Sequence, residues 1–130
     1  MENVEYVAIV TGLALLQAFI FAFLVGKERV NHEIAAPAIS GAPEFDRAFR
    51  AHQNTVEQLV IFVPALWMFA HFVRADIAAG IGLVFVISRH IYREAYVRDP
   101  AKRSAGFSIG ALAMMTLLIG GMAGAVMNLL

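Results

Sequence analysis

Most charged residues in this chain fall in four clusters, Lys27 to Glu33, Glu44 to Arg50, Arg74 to Asp76 and Arg89 to Arg103, and the stretches between them are nearly free of charge. A helix needs about 20 apolar residues to cross about 30 Å of hydrocarbon. Four stretches meet that length, predicting helices over about Val4 to Gly26, Phe45 to Val73, Ile77 to Val97 and Ala105 to Leu129. The first connection, Lys27 to Glu44, is the longest, and Pro37, Gly41 and Pro43 interrupt helix there. Arg74 to Asp76 and Arg98 to Arg103, the latter with Pro100, leave room only for tight turns. Neighbouring helices are therefore expected to run antiparallel, which makes the predicted fold an all-α, four-helix transmembrane up-down bundle formed by residues 1–130 as one domain.

Composition strengthens that reading. Of 130 residues, 60% are hydrophobic and 15% charged, too few charges to clothe a soluble domain of this size. The first apolar run is not expected to be a cleaved signal peptide. Glu2 and Glu5 precede it where a signal carries positive charge, and no small-residue cleavage site follows. Net charge is zero with no long basic run, which removes the electrostatic basis for binding nucleic acid. Cysteine is absent, so disulfides, thiolate metal sites and a cysteine nucleophile are excluded. The four histidines show neither HxxxH nor HExxH spacing, and no metal is expected.

Lysine and arginine flank the first and third connections, whereas Arg74 stands alone at the second. By the positive-inside rule, the first and third connections are expected in the cytoplasm and both termini on the opposite side. The fourth span carries Gly106, Gly110, Gly120, Gly121 and Gly124. Either they permit close helix packing, or they reflect the general abundance of glycine in membrane helices.

The second helix opens with a polar stripe that lipid would not tolerate. Arg50, Asn54 and Glu57 share one face, flanked by Arg47 and Gln58. A charge at membrane depth costs at least about 2.5 kcal/mol, so such groups pair with one another or line a wet cavity. Simple neutralisation of Arg50 by Glu57 is one account. The third helix argues for more, because Arg89, Tyr92, Arg93 and Tyr96 share a face at the same end, with Arg98, Lys102 and Arg103 just beyond. An excess of arginine over carboxylate suits an anionic ligand, since guanidinium groups grip carboxylates in bidentate fashion. Glu57 would then hold an ammonium group on that ligand. Tyr92 and Tyr96 also fit interfacial anchors, and His52, turned away from the Arg50 face, fits helix packing.

The segment from Gly41 to Glu57, GAPEFDRAFRAHQNTVE, resembles the signature of the MAPEG family, the membrane-associated proteins in eicosanoid and glutathione metabolism. Glu44, Phe45, Arg47, Arg50, Ala51, Asn54 and Glu57 carry the likeness, and Arg89, Tyr92, Tyr96 and Arg103 extend it into the third span and beyond. The resemblance implies a homotrimer with glutathione as co-substrate, bound between neighbouring subunits, and a lipophilic electrophile or lipid entering from the membrane. It implies a glutathione S-transferase-like enzyme, with peroxidase activity as a further expectation, in which Arg47, Arg50, Asn54, Glu57, Arg89, Tyr92 and Tyr96 bind glutathione. Arg103 is the first candidate for thiol activation. Some family members carry a further arginine at the end of the first helix; here that position is Val30, with Arg29 beside it as a second candidate. Gln58 replaces a tyrosine of some members, and His52 a glutamine. The competing expectation is a non-catalytic lipid-binding or accessory protein of the same fold. A transporter lacks support, because the apolar halves of the spans offer no continuous polar path.

Overall fold

A computed structural model describes all 130 residues. Four helices follow one another, α1 (Val4–Asn31), α2 (Pro43–Phe72), α3 (Ala75–Arg98) and α4 (Ser104–Leu129), with a single 3-10 turn at Pro100–Lys102. All four are long and apolar enough to cross a membrane.

Helix ends follow local chemistry. Helix α1 runs to Asn31, five residues past the expected end at Gly26, since nothing before His32 stops it. Pro43, expected only to interrupt, occupies the first turn of α2, where its missing N–H leaves no bond unmade. Asp46 reaches back from that turn, accepting from Ser40 Oγ at 3.0 Å and from the Gly41 N–H at 3.1 Å. The 3-10 turn is fixed by Asp99, whose carboxylate accepts from the Ala101 N–H at 3.1 Å.

Burial on α1 is confined to Val7, Val10, Ala14, Ala18, Phe21 and Val25, a stripe with steps of three or four. The rest of its central stretch is largely apolar yet mostly exposed, with Phe19 and Phe23 among the most open side chains. A helix that is hydrophobic all round but buried on one stripe belongs in lipid. The chain is an integral multi-pass membrane protein.

Helices α2 and α3 form the centre, with α1 on one flank and α4 on the other. Phe62 and Phe85 stack at the middle, ring centroids 3.9 Å apart, with Leu66 and Leu117 fully buried beside them. Trp67 donates from Nε1 to Thr11 Oγ1 at 3.0 Å, which ties α2 to α1. Gln17 likewise donates to the Val86 carbonyl at 2.8 Å, joining α1 to α3.

The glycines of α4 are packing devices. A Cβ on Gly106 would stand 2.6 Å from the Tyr92 backbone nitrogen, and one on Gly121 would stand 2.9 Å from that of Phe69. One on Gly110 would meet Ser88 Oγ at 2.6 Å. Close approach of α4 to α2 and α3 therefore depends on missing side chains, which decides between the two readings of this run.

Candidate functional site

Where α2 begins, α3 ends and α4 begins, the three helices enclose an open cleft of about 450 Å³. Its wall is Arg50 and Asn54 from α2, Tyr92 and Tyr96 from α3, Arg103 from the connection, and Ser104, Phe107 and Ser108 from α4. Helical spacing explains the set. Arg50 and Asn54 are one turn apart, as are Tyr92 and Tyr96, so each pair projects on one side of its helix. The two phenol rings stack at 5.6 Å between centroids.

Glu57 lies one turn beyond Asn54, and its carboxylate is 3.7 Å from Arg50. Both side chains are about half exposed, at 54% and 50%. Such a loose, wet pair leaves most donor and acceptor positions of each group available.

Arg89 stands behind the cleft. It is 1% exposed, the largest fully buried side chain in the molecule, and forms no ion pair with any carboxylate. Its Nε and Nη2 donate to Thr55 Oγ1 at 3.3 and 2.9 Å, and Nη2 also donates to Asn54 Oδ1 at 2.8 Å. The Thr55 hydroxyl in turn donates to the Ala51 carbonyl at 2.9 Å. The guanidinium also lies over the Tyr92 ring, 4.1 Å from its centroid. Arg89 was expected to touch the ligand directly. Its geometry instead fixes Asn54 and Tyr92, two residues of the wall, because Thr55 draws the guanidinium inward.

Three other expected site residues also lie outside the cleft lining, Glu57 one turn past Asn54, Arg47 and Arg29. Arg47 donates to the Val97 and Arg98 carbonyls, both at 3.3 Å, capping the otherwise unpaired end of α3. Arg29 donates to the Ala38 carbonyl at 2.6 Å and covers the Phe45 ring, 4.7 Å from its centroid, so within one chain it braces the first connection. Ser104, Phe107 and Ser108 were not anticipated. Nothing in their immediate sequence marks them, except that Ser104 follows Arg103. No group of three His, Asp or Glu side chains comes together as a metal-ligating set.

A four-span membrane protein with a cationic, phenol-lined cleft near one end of the bundle is a defined class. This chain belongs to the MAPEG family, whose model matches residues 7–123. It is 42% identical over 118 residues to microsomal glutathione S-transferase 2 of Homo sapiens, covering 89% of this chain and 80% of that protein. The Bos taurus protein of the same name is 40% identical, covering 89% and 81%. Leukotriene C4 synthase of Cavia porcellus is 32% identical over 117 residues, covering 90% and 78%.

Proposed function

We propose that this protein is a glutathione-dependent membrane transferase that activates the glutathione thiol for attack on lipophilic electrophiles. The observation carrying this reading is the convergence of Arg50, Asn54, Tyr92, Tyr96 and Arg103 from three elements on one cleft. Its volume lies within the range of roughly 300–1,000 Å³ typical of small-molecule sites. Similarity to proteins named glutathione S-transferase and leukotriene C4 synthase supports the same substrate class.

The chemistry follows from charge. Glutathione carries two carboxylates, one ammonium and one thiol. Arg50 and the Asn54 amide donate to a carboxylate, and Glu57 accepts from the ammonium. Arg103 faces the thiol. An ordinary cysteine thiol has a pKa near 8.5, and only its thiolate is a good nucleophile. Each unit of lowering requires about 1.4 kcal/mol of preferential stabilisation of the anion, within reach of one partly desolvated guanidinium. The thiol proton leaves to solvent, the sulfur forms a bond to the electrophilic carbon, and a leaving group departs or a ring opens. With a lipid hydroperoxide, two glutathiones become the disulfide while the O–O bond is reduced to alcohol and water. The lipophilic partner arrives through the apolar surface around the cleft.

The assembly that best completes this half-open site is a homotrimer, in which a neighbouring subunit closes the cleft. The connections that carry the cationic groups face the cytoplasm, where glutathione is available.

Conjugation of a chlorinated nitrobenzene to glutathione by the purified protein tests the proposal. Arg103→Ala is expected to abolish most turnover while retaining glutathione, and Arg50→Ala to raise KM for glutathione. A protein that binds glutathione but neither conjugates it nor reduces a hydroperoxide is instead the accessory protein of the same fold.

A further inference from the structure

A second cleft, larger than the first at about 670 Å³, lies on the outer face of α3 where it meets the 3-10 turn. We propose that it seats the headgroup of one anionic phospholipid, whose acyl chains run along α3. Three observations carry this.

First, its charges are unequally engaged. Arg98 and Lys102 line the cleft, and neither side chain makes a hydrogen bond or an ion pair within the chain. The two carboxylates there are already engaged. Glu94 is paired with Arg93 at 3.1 Å, and Asp99 holds the Ala101 N–H. The lining itself is balanced, Arg98 and Lys102 against Glu94 and Asp99, but Arg93 beside it neutralises Glu94, which leaves two free cations against Asp99, a surplus of one. That complements a lipid of one net negative charge and not a zwitterion.

Second, an apolar track leads straight from the cleft. Val84, Ile87 and Ile91 precede Arg98 at steps of three, four and seven, one face of a helix. All three are exposed, at 45%, 53% and 43%. Ile91 belongs to both the track and the cleft wall.

Third, the depth is right. The cleft sits at the end of a membrane-spanning helix, where headgroups lie and where long cationic side chains reach the interface. It shares no lining residue with the glutathione cleft.

The test uses the intact protein in nanodiscs of phosphatidylcholine and phosphatidylglycerol, with co-released lipid counted by native mass spectrometry. Each cation near a membrane surface favours an anionic lipid by about fivefold, so the pair gives a preference of roughly thirtyfold for phosphatidylglycerol. That preference is expected to fall to near unity in Arg98→Gln/Lys102→Gln while glutathione affinity is unchanged, and to persist in Arg74→Gln. Equal retention of phosphatidylcholine, or of phosphatidylethanolamine in a third mixture, overturns the proposal on wild-type protein alone. An unchanged preference in the double variant overturns it too. So does equal loss in Arg74→Gln, which means general electrostatics, or loss in Arg103→Gln, which means the lipid occupies the other cleft.

Discussion

Arg89 Nη2 and Asn54 Oδ1 stand 2.8 Å apart, and the polarity of that contact is set by the donor. Guanidinium has only donors, so the asparagine atom facing it must be the carbonyl oxygen. The amide NH2 of Asn54 is thereby turned to the cleft it lines, as a fixed donor. Asn54→Asp reverses that polarity, putting a second carboxylate oxygen where the ligand's carboxylate would lie. It is expected to weaken glutathione binding at least about tenfold, a difference of about 1.4 kcal/mol, measured by calorimetry.

Thr55 is the anchor of that arrangement, accepting twice from Arg89 in a fully buried position. Thr55→Val keeps the shape and removes the acceptor. Leaving a buried charged donor short of a partner costs about 1.5–3 kcal/mol, to be read as lowered thermal stability in detergent. Thr55→Ser restores the acceptor and most of the loss. Glutathione affinity is expected to follow, because a freed guanidinium no longer orients Asn54.

Glu57 separates structure from function. Its contact with Arg50 is exposed and 3.7 Å long, a geometry that contributes about 0–1 kcal/mol to stability. Glu57→Gln is therefore expected to leave unfolding nearly unchanged while raising the glutathione dissociation constant, since it loses the charge for the ammonium. If stability falls and affinity holds, Glu57 serves the bundle and the site assignment fails.

Two glycines should respond to alanine with opposite signs. At Gly106 the new methyl meets the Tyr92 backbone, which cannot rotate away, so α4 must shift. Overpacking of this kind costs about 1–3 kcal/mol, and displacement of Tyr92 should reduce turnover. At Gly12 nothing lies within 4 Å. Gly12→Ala gains only helix propensity, up to about 1 kcal/mol. Melting temperatures of the two variants check both signs at once.

The bundle was legible in sequence because apolar runs and charge clusters alternate at membrane length, and the site because Arg50–Asn54 and Tyr92–Tyr96 repeat at one helical turn. What escaped was direction in depth. Periodicity puts Arg89 on the face of Tyr92 but does not say whether its guanidinium reaches forward to ligand or back to α2. Thr55, an unremarked residue beside Asn54, decides that. Arg47 and Arg29 lie outside the cleft lining of the single chain for a related reason: a cation near a cleft in sequence was equally close to backbone carbonyls, and long flexible side chains settle on those. Ser104, Phe107 and Ser108 were invisible because the facing of α4 depends on the 3-10 turn before it, whose geometry the residue pattern does not encode. The glycine run was seen but could not be assigned until neighbouring backbones were in place.

The buried guanidinium of Arg89 also bears on how the chain enters the bilayer. Arg89 lies nine residues before the end of α3, about 14 Å along the axis at 1.5 Å per residue, too deep for easy escape to the interface. An arginine carried there by an isolated helix is opposed by about 2.5–3.5 kcal/mol. Its acceptors are on α2, and only Val73 and Arg74 separate the two helices. Insertion of α2 and α3 as a hairpin is therefore expected, since it would cover the charge with the same three hydrogen bonds that hold Asn54 and Thr55 against Arg89.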